Sequence, residues 1–128
     1  MGINMIMAVA AGGAFGAVAR YVVAGQVGHW LGTGFPWGTL AVNVIGSLIM
    51  GTLAELFALV WSPGPEMRAL LIVGVLGGFT TFSSFSLDAI LLIERNDWWP
   101  AVLYIGGSVI LSLAAFFAGM RLLRLAVA

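Results

Sequence analysis

The apolar residues of this chain neither alternate nor keep to one side of a helix; they run on. Four blocks, from about Ile3 to Gly28, about Gly38 to Val60, about Met67 to Ile93 and about Trp99 to Leu123, carry nearly all of the sequence. Each reaches the roughly 20 residues that a helix needs to cross about 30 Å of hydrocarbon. A segment in hydrocarbon must satisfy its own backbone hydrogen bonds, which a helix does and a lone strand does not. Barrel strands would show short alternating segments. The pattern predicts an all-α integral membrane protein: one transmembrane domain over residues 1–128, with four spanning helices at about 3–28, 38–60, 67–93 and 99–123.

The punctuation agrees. All four prolines, Pro36, Pro63, Pro65 and Pro100, fall between the blocks or at their edges, as do all five tryptophans, Trp30, Trp37, Trp61, Trp98 and Trp99. Indole rings favour the headgroup level, with the ring body inward and the N–H toward water. Loops of about six to ten residues leave no room for a soluble domain. The first block has no basic leading region and contains Arg20, so it is expected to stay as a helix and not to be cleaved as a signal peptide.

Composition narrows the function classes. Only 8% of the 128 residues are charged, against about 25% in a soluble domain. The net charge is zero, with no basic patch to attract nucleic acid. With no cysteine and one histidine, His29, the chain has no disulfide, thiolate metal site or histidine cage. No His–acid pair or triad motif suggests an enzyme. Gly12-Gly13-Ala14-Phe15-Gly16 lacks the preceding strand and the following GK[ST] of a phosphate loop; the Gly12/Gly16 spacing suits close helix packing instead. The five basic residues are all arginine. Four crossings put Arg68, Arg121 and Arg124 on one side and Arg20 and Arg95 on the other. That bias of one is a weak orientation signal. It is compatible with copies inserted both ways and paired antiparallel.

Polar groups inside membrane helices are costly and need partners. Thr39, Asn43 and Ser47 recur every four residues on one face of the second block, and Tyr104, Ser108 and Ser112 do so in the fourth. Either stripe suits interhelical hydrogen bonding or the lining of a route. The third block holds Gly77-Gly78-Phe79-Thr80-Thr81-Phe82-Ser83-Ser84-Phe85-Ser86 mid-segment. Paired glycines followed by paired threonines predict a helix broken within the membrane, and the carbonyls freed there can hold a cation. Hydroxyls and the Asn43 amide donate to anions. Phe82 and Phe85, three apart, share a face, and aromatic ring edges are weakly positive. Donors and ring edges without a ring of acids favour a small anion, held at several weak sites that allow escape. Arg20 either draws anions to an entrance or snorkels to the headgroups.

On these residues the chain resembles the Fluc (CrcB-type) fluoride channel family. The resemblance rests on Gly12-Gly13 with Gly16 and Arg20, on Gly38-Thr39-Leu40-Ala41-Val42-Asn43 with Gly46, and above all on the run from Gly77 to Ser86. It implies passive export of fluoride across a bacterial inner membrane by a multi-pass, lipid-embedded, antiparallel homodimer with two pathways along its interface. Asn43, Phe82 and Phe85 would coordinate fluoride. Tyr104, Ser108 and Ser112 would form a polar track, and Asp88, Ser83 and Ser84 would join the pathway. Thr39 belongs to that pathway through the second-block stripe, and Arg20 to a vestibule. A structural sodium ion would sit on the backbone carbonyls of Gly77 and Thr80, shared by both chains. The chain departs from the family in having serine at Ser84, where threonine is frequent, and aspartate at Asp88, where glutamate is frequent. The competing reading is a proton-coupled exporter of the small multidrug type. It would need a carboxylate within the first block, and that block has none; Glu55 and Asp88 lie in the second and third.

Overall fold

The computed structural model describes residues 2–128, and every regular element among them is a helix. Helix α1 is Ile3–Leu31 and α2 is Trp37–Leu59. Helix α3, residues 65–79, joins a first turn Pro65–Arg68, a π-helical stretch Ala69–Leu76 and a last turn Gly77–Phe79. Helix α4 is Phe82–Glu94 and α5 is Trp98–Val127. Among the described residues four paths are long and apolar enough to cross a membrane, with α3 and α4 together forming one of them, Pro65–Glu94. The 29 residues of α1 span about 43 Å at the helical rise, so its ends, with Trp30, reach beyond the hydrocarbon.

Local chemistry sets the helix ends. Gly32, at φ 89°, turns the chain out of α1, a left-handed conformation that glycine adopts without a Cβ penalty. Pro65 opens α3 at a position whose N–H would be unpaired in any case. Pro100 is only the third residue of α5, still within the first turn, where the missing donor costs nothing. Helix α4 closes with Asn96 at φ 62°. There Asp97 N–H donates to Leu92 C=O and Asn96 N–H to Ile93 C=O, both at 2.9 Å, which satisfies two terminal carbonyls in a Schellman turn.

Few side chains are fully enclosed; Val42, Leu92 and Tyr104 are the largest. Ala89, Leu92, Ala101 and Tyr104 form a small core between α4 and α5, closed by Phe35, Leu40, Phe85 and Ile93. Elsewhere the bundle is held by backbones in contact. Gly12 and Gly16 press on the α3 backbone at Leu70 and Val75. A Cβ on Gly74 would lie 2.8 Å from Gly12 Cα, and one on Gly78 would lie 2.8 Å from the Gly13 carbonyl. Gly51 and Gly119 bring α2 and α5 together in the same way, against Phe116 and Leu48. Lipid tails are as apolar as leucine, so helices in a bilayer associate through such close van der Waals approach. One ion pair adds to it: Arg124 of α5 donates through Nη2 (2.9 Å) and Nε (3.2 Å) to Glu55 Oε1 of α2, where Glu55 is 5% exposed.

Gly16→Ala should therefore force α1 and α3 apart. Overpacking of this kind costs roughly 1–3 kcal/mol, and the thermal midpoint of the purified protein in detergent should fall. Gly25 has open space around it, so Gly25→Ala should leave the midpoint unchanged or slightly raised. Equal midpoints for the two variants would contradict the backbone-contact account.

Candidate functional site

Between α3 and α4 two residues are extended: Thr80 at φ −86°, ψ 157° and Thr81 at φ −151°, ψ 120°. The Asn43 carboxamide holds them. Its Nδ2 donates to Thr81 C=O at 3.0 Å and its Oδ1 accepts from Thr81 N–H at 2.8 Å. Asn43 thus pairs with the Thr81 backbone as a neighbouring strand would, and the N–H and C=O of an extended residue are satisfied without water. Thr81 in turn caps α4, its Oγ1 accepting from Ser84 N–H at 3.1 Å.

These bonds redirect donors. In a continuing helix, Thr81 N–H would serve the Gly77 carbonyl and Ser84 N–H the Thr80 carbonyl. Both N–H groups point elsewhere, to Asn43 and to the Thr81 hydroxyl. Gly77 and Thr80 are thus the first and last of four consecutive carbonyls that lose their helical donors, and Gly77 is exposed on the single chain. Carbonyl oxygens are hard donors suited to a hard cation, and the C-terminal end of α3 adds a negative partial charge. Of the two carbonyls between them, that of Gly78 is occupied, since Arg20 Nε donates to it at 3.0 Å. Arg20 therefore turns into the chain at the end of α3.

A cavity of about 410 Å³ opens beside the extended pair, with Asn43, Phe82, Phe85, Ser108 and Ser112 in its wall. Ser108 is 6% exposed and its hydroxyl is, among the described residues, the one buried side-chain polar atom without a partner. A buried, unpartnered hydroxyl is costly, which makes it a donor for whatever enters. Aromatic rings continue from this cavity. Phe82 and Phe85 have centroids 5.4 Å apart, Phe85 and Tyr104 5.2 Å, and Phe35 meets Tyr104 edge-on at 5.5 Å. The Tyr104 hydroxyl donates to Asp88 Oδ2 at 3.1 Å. Asp88 and Thr39 line a second cavity of about 270 Å³. The residues thus run from Asn43 through the rings to Asp88, with Tyr104 between the two cavities.

The sequence model of the family described as CrcB-like protein, Camphor Resistance (CrcB), matches residues 7–120. The chain belongs to the CrcB-like family. It is 60% identical over 125 residues to a protein of Rhodospirillum centenum named fluoride-specific ion channel FluC, covering 98% of this chain and 99% of that one. It is 54% identical over 121 residues to a protein of the same name from Nitrobacter winogradskyi, covering 94% and 96%. A Rhizobium meliloti protein, also so named, is 52% identical over 125 residues, covering 94% and 97%.

In this CrcB-like chain the pathway residues named from the sequence fall into three groups. Asn43, Phe82, Phe85, Ser108 and Ser112 share the first cavity, and Thr39 and Asp88 share the second, with Tyr104 bonded to Asp88. Ser83 and Ser84 stand apart from both. Ser83 Oγ lies 3.3 Å from Thr81 Oγ1 and Ser84 meets that oxygen through its backbone. Thr81, which sequence reasoning gave no role of its own, joins the turn to α2. Its one sequence signal is a threonine at a cap position before an apolar run, too common to single it out. Removing the carboxamide should loosen the turn. Two hydrogen bonds contribute roughly 1–3 kcal/mol together, so in Asn43→Ala the Thr81 amide should exchange with deuterium about tenfold or more faster. Unchanged protection would mean that another group holds the turn.

Proposed function

We propose that this protein is a fluoride channel that passively exports the anion across a bacterial inner membrane. The observation that carries the reading is the cavity that brings Asn43, Phe82, Phe85, Ser108 and Ser112 together beside the Thr81 turn. The names of the relatives support the choice of fluoride. An anion entering the cavity exchanges its water for protein donors: the unpartnered Ser108 hydroxyl, the Ser112 hydroxyl, the second Asn43 N–H and the edges of the two phenylalanine rings. The N-terminal end of α4 adds partial positive charge at the same place. None of these is a full charge, so the ion is held in weak successive sites and can leave. Beyond the rings, Tyr104, Asp88 and Thr39 continue the path. Ser83 and Ser84, which meet the Thr81 hydroxyl at the start of α4, are the remaining pathway hydroxyls in this reading. Arg20, bound to Gly78, supplies the positive charge of a vestibule. A potential of 100 mV, negative inside, drives the anion out with about 2.3 kcal/mol per charge.

Two chains in antiparallel orientation complete the channel in this reading, giving two pathways along the shared interface. Exposure of Phe82 (78%) on the single chain supports a partner surface there, as does the apolar outer face of every spanning helix. A helix broken at mid-membrane by Thr80 and Thr81 would meet its copy across a two-fold axis. There the released carbonyls of Gly77 and Thr80, two from each chain, would hold a sodium ion; when bound, it supplies positive charge at the centre and offsets the negative ends of α3. No group of three or more acidic or histidine side chains that could bind a metal occurs among the described residues, so the backbone oxygens are the fitting ligands. The exporter reading is weakened by geometry as well as by kinship, because the carboxylate of Glu55 is taken by Arg124 and that of Asp88 by Tyr104.

Liposomes holding the purified protein should release fluoride far faster than chloride, without an imposed proton gradient. A ring edge contributes about 0.5–1.5 kcal/mol, so Phe82→Ile and Phe85→Ile should each lower flux roughly two- to tenfold while the protein stays dimeric. Replacing sodium by a bulky cation on both faces should also abolish flux, with no sodium moving alongside fluoride. Dependence on a proton gradient would remove the channel reading, and sodium co-transport would make the protein a symporter.

Cysteines introduced near both membrane faces, at Trp61 and at Trp98, should each react with an external reagent in a fraction of the molecules. Reaction at one face alone would exclude dual topology.

A further inference from the structure

Arg95 borders the second cavity, together with Thr39 and Asp88. Its Nη2 donates to the carbonyl of Gly34, 61 residues away in sequence, at 3.1 Å, and lies 3.1 Å from Asp97 Oδ2. Asp97 follows the left-handed Asn96, and its N–H is fixed to Leu92 by the Schellman turn. The carboxylate is therefore presented to the guanidinium from an anchored corner. Gly34 belongs to the loop between α1 and α2, which contains Gly32 and Gly34 and lies outside both helices. No helix bond fixes that loop at Gly34; Arg95 does. A planar guanidinium can serve a carbonyl and a carboxylate together, where an ammonium acts as a point charge. The pair itself is half-exposed and adds little stability, so its value lies in where it puts the loop.

The loop carries Phe35. That ring stands edge-on to Tyr104 (5.5 Å, 89°) and against Trp37 (4.6 Å), and the Tyr104 hydroxyl reaches Asp88 Oδ2. A continuous series of contacts thus leads from Arg95 through Gly34 and Phe35 to the tyrosine between the two cavities. We propose that Arg95 is a positioning residue for the anion route: it pins the 32–36 loop so that Phe35 holds Tyr104 onto Asp88. The route itself rests on the channel reading above; the clamp does not.

The test uses the full chain in liposomes, with Arg95→Gln, Arg95→Lys, Phe35→Ala and the Arg95→Gln/Phe35→Ala double variant. Deuterium exchange of amides 32–35, 37 and 38 should rise about tenfold in both Arg95 variants. Fluoride efflux should fall roughly tenfold in both, as small misplacements of a working group can cost that much or more. Phe35→Ala should lower efflux similarly, and the double variant no further, since both changes break one series of contacts. If Arg95→Lys keeps wild-type flux while Arg95→Gln loses it, charge and not position is what matters, and the proposal fails. Additive losses in the double variant, or unchanged exchange in both Arg95 variants, also overturn it. Should the wild-type protein pass no fluoride, the channel reading falls, and exchange alone decides the clamp: a rise keeps it and no change removes it. If Arg95→Gln does not assemble, Arg95→Lys carries the same comparison.

Discussion

Two hydrogen bonds between one side-chain amide and the backbone of one residue organise the centre of this molecule. A residue that leaves helical geometry inside an apolar bundle exposes an N–H and a C=O that water cannot reach, and the cost of leaving them unpaired is several times that of an ordinary mutation. Asn43 is the side chain that can answer both at once, because a carboxamide has the same donor and acceptor as a peptide. Once Thr81 is held this way, its hydroxyl is free to cap α4, its N–H no longer serves Gly77, and Phe82 begins a new helix on a new heading. The placement of the rings and the release of the carbonyls both follow from that pairing.

The rest of the bundle works under a different constraint. Little apolar surface is enclosed within the chain, and most large side chains of the spanning helices face outward. Cohesion comes from α1 lying on α3 and α2 lying on α5 at glycines. The π-helical stretch Ala69–Leu76 lies where α1 presses hardest. A π-helix closes wider turns than an α-helix does, and such stretches recur near functional sites. Here the wider turn leads directly into Gly77–Phe79 and the extended threonines.

Much of this was legible in the sequence because the bilayer imposes simple rules. Block length gave the spanning helices, and the prolines and tryptophans marked their ends; α1 and α5 run a few residues past the apolar blocks because their headgroup-level turns stay helical. The four-residue spacing put Asn43 on a face with Thr39 and Ser47, and Ser108 with Tyr104 and Ser112. What spacing does not carry is which partner lies 38 or 58 residues away. Asn43 was readable as a buried donor but not as the partner of Thr81, and Arg20 was readable as an entrance or snorkelling charge but not as the donor to Gly78. The π-helix left no mark, since Ala-Leu-Leu-Ile-Val-Gly-Val-Leu suits any buried helix. Phe35 and Arg95 lie between the apolar blocks, where spacing does not show the corner that brings their two loops together.

The ion pair between Glu55 and Arg124 has a bearing on how the chain is made. Residue 55 leaves the ribosome well before residue 124, so while α2 is already being inserted its carboxylate has no arginine to meet. It sits in the last turns of α2, within reach of the interface, and can stay hydrated there until α5 arrives. The glycine contacts of Gly51 and Gly119 and the Glu55–Arg124 pair join the same two helices. The acid of α2 thus has its partner only once α5 is in place.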